Sequence, residues 1–154
     1  MSTPSIVHKT FVIERTYPAS AARVFGAFSD TATKRRWFVE GEGWQIEAFD
    51  ADFRVGGRET SRFRFKDGPP VANDTVYLDI VPDRRIVFVY TMTVGDKRIS
   101  ASLSSVELFA SGGGTRLVYT EQGQFFDGAD QPQQREVGCA ELFDQLGEEL
   151  KRSN

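Results

Sequence analysis

The chain has 154 residues, of which 40% are apolar and 27% charged, and these proportions are typical of one soluble globular domain spanning residues 1–154. One cysteine and one histidine exclude an intrachain disulfide and a paired-cysteine metal site and argue against His-based centres, so we expect no metal and no cofactor. The formal net charge of −3, the lack of an apolar run long enough to span a bilayer and the lack of a signal-like start predict a cytoplasmic protein without nucleic-acid or membrane partners.

The first third of the chain predicts one strand and two short helices. β-Branched and aromatic residues at 11–17 indicate the strand, which Pro18 ends. Apolar residues then recur at helical spacing and predict an amphipathic helix, at Ala21, Val24, Phe25 and Phe28. A second short helix is expected over residues 31–37, with Asp30 or Thr31 as its capping residue.

The middle of the chain predicts a meander of antiparallel strands. Six segments have the length and composition of strands, at residues 44–49, 58–65, 74–81, 85–93, 100–109 and 115–122. Short turns rich in glycine, proline and aspartate separate these segments, so consecutive strands are expected to pair as hairpins.

One long helix is predicted after the strands, with a capping residue at Asp130 and an end near Arg152. Its apolar stripe consists of Cys139, Leu142, Phe143, Leu146 and Leu150. Its solvent side would carry Glu136, Glu141, Glu148 and Glu149. Because a curved sheet has one apolar face to cover, and this helix is the only long one, the pattern predicts an α+β fold with a central cavity between helix and sheet.

Six local motifs occur in order between about residues 9 and 152. They are residues 15–20 with Val24 and Phe25, Trp37, residues 53–57, residues 80–82 with Arg85 and Ile86, residues 113–117 and residues 126–128. Together they resemble the START and birch-allergen-like (SRPBCC) superfamily, in the branch named after the C-terminal domain of the activator of heat-shock-protein-90 ATPase. The resemblance implies a helix-grip fold: a curved antiparallel sheet of about seven strands wraps around the C-terminal helix, with two short helices between strands 1 and 2.

The sequence departs from the pattern of this branch in two respects. Such proteins carry Gly-Trp early in the last helix, whereas this chain has Gly138 followed by Cys139. Without the indole that would plug one end, we expect a larger or differently filled pocket. The eukaryotic co-chaperone also has a separate chaperone-binding domain, for which 154 residues leave no room.

Alternation of side chains across each strand divides the residues into inner and outer sets. The arginine-rich set of the strand at 58–65 belongs in water, which turns Glu59 and Ser61 inward with Phe63 and Phe65. In the strand at 74–81 the inner set is either Val76, Leu78 and Ile80 or Tyr77 and Asp79. The residues expected to line the cavity are Trp37, Phe38, Glu59, Ser61, Phe63, Phe88, Tyr90, Ser104, Tyr119, Glu121, Cys139 and Phe143.

Simpler explanations apply to several of these residues. The 13 Phe residues could serve core packing rather than ligand contact. Glu59 or Glu121 could lie at a strand end in water or pair with an arginine, and Cys139 could be an inert buried thiol. Trp37 and Trp44 could gate the pocket mouth or staple the short helix to the sheet. No role is predicted for His8.

Apolar walls with sparse polar groups are typical of a small-molecule pocket, so we expect binding of a small hydrophobic or amphipathic molecule. An enzyme of the cyclase, dehydratase or hydrolase type is the alternative, with Glu59 or Glu121 acting beside Tyr90 or Tyr119. A third hypothesis is an interaction domain that modulates a chaperone or another protein through the outer face of the sheet. Pairing of edge strands could also produce a homodimer.

Overall fold

Ten elements follow one another in the computed structural model, which describes residues 4–152; residues 1–3 and 153–154 of the expected domain lie outside the described part. In chain order they are β1 (Ile6–Tyr17), α1 (Ala21–Ser29), α2 (Thr31–Phe38), β2 (Trp44–Ala51), β3 (Arg58–Phe65), β4 (Val71–Val81), β5 (Arg85–Val94), β6 (Lys97–Ser111), β7 (Gly114–Phe126) and α3 (Pro132–Arg152).

The strands form one antiparallel sheet in the order β1-β7-β6-β5-β4-β3-β2. Five hairpin connections therefore run from β2 to β7, and the only departure from sequence order is β1, which pairs with β7. The sheet is curved and unclosed, with β1 and β2 at its edges. The predicted α+β class, seven strands, two short helices and long C-terminal helix are confirmed.

The first strand is longer than predicted, because β1 begins at Ile6 rather than near residue 11. Its early residues pair with the far end of β7, where Ile6 lies opposite Phe126 and His8 opposite Gln124. The His8 side chain is exposed on this strand. The early residues of β1 are exposed on both faces of the strand, so their sequence has no alternation of apolar and polar residues that would predict a strand.

Side-chain caps begin the two short helices. Ser20 accepts a hydrogen bond from the Arg23 amide at the start of α1, and Asp30 accepts from the Ala32 and Thr33 amides at the start of α2. The cap predicted at Asp130 is wrong: α3 begins at Pro132, and the Asp130 carboxylate instead accepts a hydrogen bond from the Arg135 guanidinium.

A bulge in β4 means that neither predicted inner set is correct as a whole. The register with β5 shifts between Tyr77 and Asp79, so that Leu78 has no partner in the ladder. Tyr77 is 2% exposed, while Leu78 is 46% exposed. Beyond the bulge Ile80 again packs against the core. The strand therefore directs the buried Tyr77 and the half-buried Ile80 to the same side although they are three residues apart.

The hydrophobic core lies between α3, the two short helices and the β1–β7–β6 part of the sheet. Tyr17 on β1 donates a hydrogen bond to the Phe143 carbonyl on α3 at 2.7 Å. Val24, Leu117 and Leu146 are fully buried in this cluster. α3 packs on β1, α1 and α2. It does not pack closely on the inner faces of β3, β4 and β5, so a space remains between these strands and the helix.

The expectation that Glu149 lies on the solvent side of the last helix is wrong. Its side chain is 1% exposed, because α2 packs against α3 at this point. Arg36 on α2 donates to both carboxylate oxygens, with its Nη2 at 3.0 Å from Oε2. Arg152 donates to Oε1 from one turn further along α3. Within residues 4–152, no helix is long and apolar enough to cross a membrane.

Candidate functional site

A pocket of about 730 Å³ lies between α3, α2 and the inner faces of the central strands. Its wall is mainly aromatic and aliphatic. The aromatic side chains are Phe28, Trp37, Phe38, Trp44, Phe63, Tyr77, Phe88, Tyr90, Tyr119 and Phe143. The aliphatic part includes Val71, Ile86, Met92, Val94, Ile99, Val106 and Leu142.

Nine of the twelve residues expected at a cavity contribute to this wall: Trp37, Phe38, Glu59, Phe63, Phe88, Tyr90, Tyr119, Cys139 and Phe143. The other three, Ser61, Ser104 and Glu121, are buried but do not line the pocket. Phe65, expected to point inward, is 44% exposed because it lies at the outer end of β3.

Part of the pocket wall is exposed to solvent at the loop between α2 and β2. Glu40, Gly41 and Glu42 line the pocket there and are exposed to solvent. Trp44 begins β2 beside them, is 40% exposed, and packs edge-on against Phe63 with 5.3 Å between ring centroids. Trp44 therefore lies at a solvent-exposed part of the pocket wall.

Trp37 has a different position from Trp44. Its side chain is 3% exposed, and its indole N–H donates to the Ala27 carbonyl at 2.9 Å. The ring packs edge-on against Phe28 of α1 and lies near Phe143 of α3. These contacts favour the stapling interpretation for Trp37, since a gate would have to leave them.

A buried ion pair occupies one part of the wall. The Lys34 ammonium lies 2.8 Å from both carboxylate oxygens of Glu59, and the Tyr77 hydroxyl donates to Glu59 Oε1 at 2.6 Å. Lys34 also lies over the Phe38 ring, 4.7 Å from its centroid. Burial first, and then the neighbouring Glu59 charge, raise the pKa of the Tyr77 phenol. The pair joins α2 to the sheet and needs no outside partner.

A second polar cluster surrounds Glu121, which is fully buried. Tyr119 donates to its Oε1 at 2.5 Å, and Tyr90 and Ser102 each donate to Oε2 at 2.8 Å. The Cys139 thiol lies 3.6 Å from Oε1. Burial is the largest cause that raises the pKa of Tyr90, Tyr119 and Cys139, and the Glu121 carboxylate adds to it in each case. These three groups are therefore protonated donors.

Arg135 connects this cluster to the pocket. Its guanidinium donates to Tyr90 OH at 2.9 Å, to Ser100 Oγ at 2.8 Å and to Asp130 Oδ2 at 2.7 Å. It lies 3.5 Å from Glu121 Oε2. The Arg135 guanidinium thus lies beside two carboxylates, and both of its terminal nitrogens donate hydrogen bonds within the protein.

Sequence reasoning missed Lys34, Asn73, Thr75 and Arg135 on the pocket wall. A signal existed for the two bases. Lys34 precedes Trp37 by three residues and Arg135 precedes Cys139 by four, so each base shares a helix face with a predicted lining residue. Asn73 lies outside the strand predicted over residues 74–81, because β4 begins three residues earlier, at Val71.

A surface depression and the metal-binding potential of the chain are weaker candidates for a functional site. A depression of about 480 Å³ lies between β1 and α3, but half of its lining residues are exposed, Val12, Glu14 and Val137 among them. Among residues 4–152, no group of three or more His, Cys, Asp or Glu side chains could hold a metal ion. The large pocket is therefore the candidate site.

Comparison with known proteins identifies the family. The family described as Activator of Hsp90 ATPase homolog 1-like protein matches residues 18–152, and the chain belongs to it. This agrees with the resemblance to the SRPBCC superfamily, a group of ligand-binding domains.

Solved structures from several bacteria are similar over nearly the whole chain. The Mll3558 protein of Rhizobium loti is 55% identical, with a TM-score of 0.88, covering 95% of this chain and 99% of that one. A protein of Rhizobium leguminosarum is 43% identical, with a TM-score of 0.93, covering 97% and 98%. CV1439 of Chromobacterium violaceum is 25% identical, with a TM-score of 0.77, covering 94% and 98%. Comparison with curated proteins gave no significant match.

Proposed function

We propose that this family member binds a small, mostly apolar molecule in the pocket between α3 and the sheet. The observation that carries the proposal is the wall itself, which combines about 730 Å³ of space with ten aromatic side chains. Ligand pockets in proteins commonly enclose roughly 300–1,000 Å³ and have apolar walls with few polar groups. Burial of an apolar ligand against such a wall would supply most of the binding free energy.

The charged groups on the wall support an apolar ligand rather than an ionic one. Lys34 is neutralised by Glu59, and Arg135 by Asp130 and Glu121. Breaking either arrangement to reach a ligand would leave a buried charge without its partner, which is costly. The ligand is therefore expected to leave both networks intact.

The same contacts count against the enzymatic alternative. Glu121 has no exposed surface, and both of its oxygens already accept hydrogen bonds from neighbouring side chains. Glu59 reaches the pocket but is held by Lys34 on both oxygens. A general acid or base must be within hydrogen-bond reach of the substrate proton, and in this structure every oxygen of the two carboxylates already accepts a hydrogen bond from a protein side chain.

A pair of variants at one position tests the proposal. Gly138 lies on the pocket wall, and a Cβ added there meets no atom within 4 Å. Gly138→Phe should fill part of the pocket, whereas Gly138→Ala keeps it open and removes a helix-interior glycine. Native mass spectrometry and thermal-shift screening with lipids, sterols, flavonoids and polyketides should find a compound that binds the wild type and the alanine variant. The same compound should not bind the phenylalanine variant. Equal binding to all three proteins, or no binding at all, would contradict the proposal.

The family name supports a second candidate function, interaction with a chaperone ATPase. Its test is direct addition of the purified protein to an Hsp90-type ATPase assay. Stimulation that saturates with protein concentration would favour this function. An unchanged ATPase rate at a large excess of the protein would count against it.

A further inference from the structure

Two buried polar atoms on neighbouring strands lack hydrogen-bond partners among residues 4–152. They are Oδ1 of Asn73 on β4 and Oγ of Ser61 on β3. The two residues lie directly opposite each other in the ladder, and their exposed fractions are 9% and 1%. Native proteins leave few buried polar atoms unpaired, and such atoms concentrate where a protein has a functional use for them.

Asn73 differs from Ser61 in reaching the pocket. It contributes to the wall together with Thr75 on the same strand and Met92, which lies opposite it on β5. The terminal torsion of an asparagine side chain has a broad energy profile. Rotation about that bond therefore allows Oδ1 to turn toward the pocket, where an incoming donor could pair it.

The charge of the wall restricts the kind of donor. Five acidic and two basic residues line the pocket, and both bases already have carboxylate partners: Glu40, Glu42, Glu59, Asp130 and Glu141, against Lys34 and Arg135. A carboxylate ligand would face this acidic excess and would bring no donor for Asn73. An ammonium group would bring a donor, but it would have to lose its water beside an uncharged carboxamide, which is costly.

We propose that Asn73 is a specificity-determining residue, whose carboxamide accepts a hydrogen bond from a hydroxyl or amide N–H of an otherwise apolar, uncharged ligand. This inference rests on the proposed function, because it names the polar contact within the same pocket. A ligand that carries this group pairs the buried acceptor, while a ligand without it leaves the acceptor unpaired. The hydroxyl-bearing molecule is therefore selected over its hydrocarbon and ether analogues.

Four compounds with one apolar skeleton provide the test: para-phenylphenol, para-methoxybiphenyl, biphenyl and biphenylcarboxylate. Their affinities for the wild type are measured by native mass spectrometry and by fluorescence titration of the tryptophans. The phenol should bind about tenfold more tightly than the methyl ether, which corresponds to one net hydrogen bond. The carboxylate should bind most weakly.

Variants then assign the preference to Asn73. Asn73→Leu should bind the phenol and the methyl ether with equal affinity, and Asn73→Ala serves the same purpose if the leucine variant does not fold. Phe63→Leu, also on the wall, is the matched control: it should weaken all four compounds while the phenol-to-ether ratio stays unchanged. A purely structural role of Asn73 would alter stability without altering that ratio.

The outcomes separate the two proposals. If none of the four compounds binds the wild type, the assignment of Asn73 is overturned, and the proposed function fails with it only if the screen of lipids, sterols, flavonoids and polyketides is also negative. If the compounds bind with equal affinity, or the preference survives in Asn73→Leu, pocket binding stands and only the role of Asn73 is overturned. A crystal structure of the phenol complex in which a water bridges Asn73 and Ser61, with the hydroxyl elsewhere, would overturn it as well.

Discussion

Lys34 on α2 and Glu59 on β3 form an ion pair in which both carboxylate oxygens lie 2.8 Å from the ammonium, and both side chains are less than a tenth exposed. Removal of one partner leaves the other charge buried and unpaired, so Glu59→Gln should destabilise the protein by about 3–5 kcal/mol. The double variant Lys34→Met, Glu59→Leu should recover most of this loss. Urea unfolding of the single and double variants measures both values, and a single variant as stable as the wild type would contradict the prediction.

All four tyrosines of the chain, Tyr17, Tyr77, Tyr90 and Tyr119, have a pKa raised above the ordinary value of about 10, and burial is the main cause in each. The unfolded chain ionises near that value while the folded protein keeps its protons. The stabilisation is therefore complete below about pH 10 and is lost as pH rises above it. We expect phenolate absorbance to appear together with loss of circular dichroism. Phenolate formation in the folded protein would count against this assignment.

Glu149 should make the protein sensitive to acid. The hydrogen bond from Arg36 is the largest cause that lowers the pKa of this carboxyl in the folded state. Its contribution to stability is thus present above the pKa of the unfolded chain, about 4.3, and is lost as pH falls toward the lower folded value. Glu149→Gln should be less stable than the wild type at neutral pH, and the difference should shrink in acid. Thermal unfolding at a series of pH values measures it, with Glu148→Gln on the exposed face as the control.

The turn between β2 and β3 depends on Gly57. A Cβ at this position would lie 2.0 Å from the Asp52 carbonyl oxygen, so the backbone would have to shift. Gly57→Ala should destabilise the protein by about 2 kcal/mol or more, whereas Gly138→Ala in α3 should stabilise it by up to about 1 kcal/mol. The melting temperature should fall in Gly57→Ala and rise in Gly138→Ala, relative to the wild type. Equal melting temperatures of wild type and Gly57→Ala would rule out the close approach at Gly57.

The thiol of Cys139 should be unreactive in the folded protein. Burial raises its pKa, and its side chain is 8% exposed, so the nucleophilic thiolate is scarce at neutral pH. Labelling with a thiol-specific disulfide reagent should proceed at the rate of unfolding and become fast in denaturant. Fast labelling under native conditions would show that the pocket admits the reagent and that the thiol ionises there.

The order of the elements could be predicted because each leaves a local pattern, alternation for strands and a helical stripe for α1 and α3. The inner face of β4 could not be predicted in this way. The bulge after Tyr77 is fixed by pairing with β5, and no residue pattern within β4 indicates it. The arginines on the other face of β3 predict that Glu59 points inward, with a strand end in water as the alternative, and its side chain is 3% exposed. The pairing of Lys34 with Glu59 could not be predicted, because α2 and β3 come together only through tertiary packing. The cytoplasmic location and the homodimer stay predictions.

The position of α3 in the chain order has a consequence for biosynthesis. Every strand that bounds the pocket is translated before α3, yet Cys139, Leu142 and Phe143 of that helix form one wall of it. A nascent chain that has emerged as far as β7 carries the concave apolar face of the sheet without its cover, and such a face is prone to aggregation. A molecule bound in the pocket could therefore stabilise the fold only after α3 has been synthesised and has docked on the sheet.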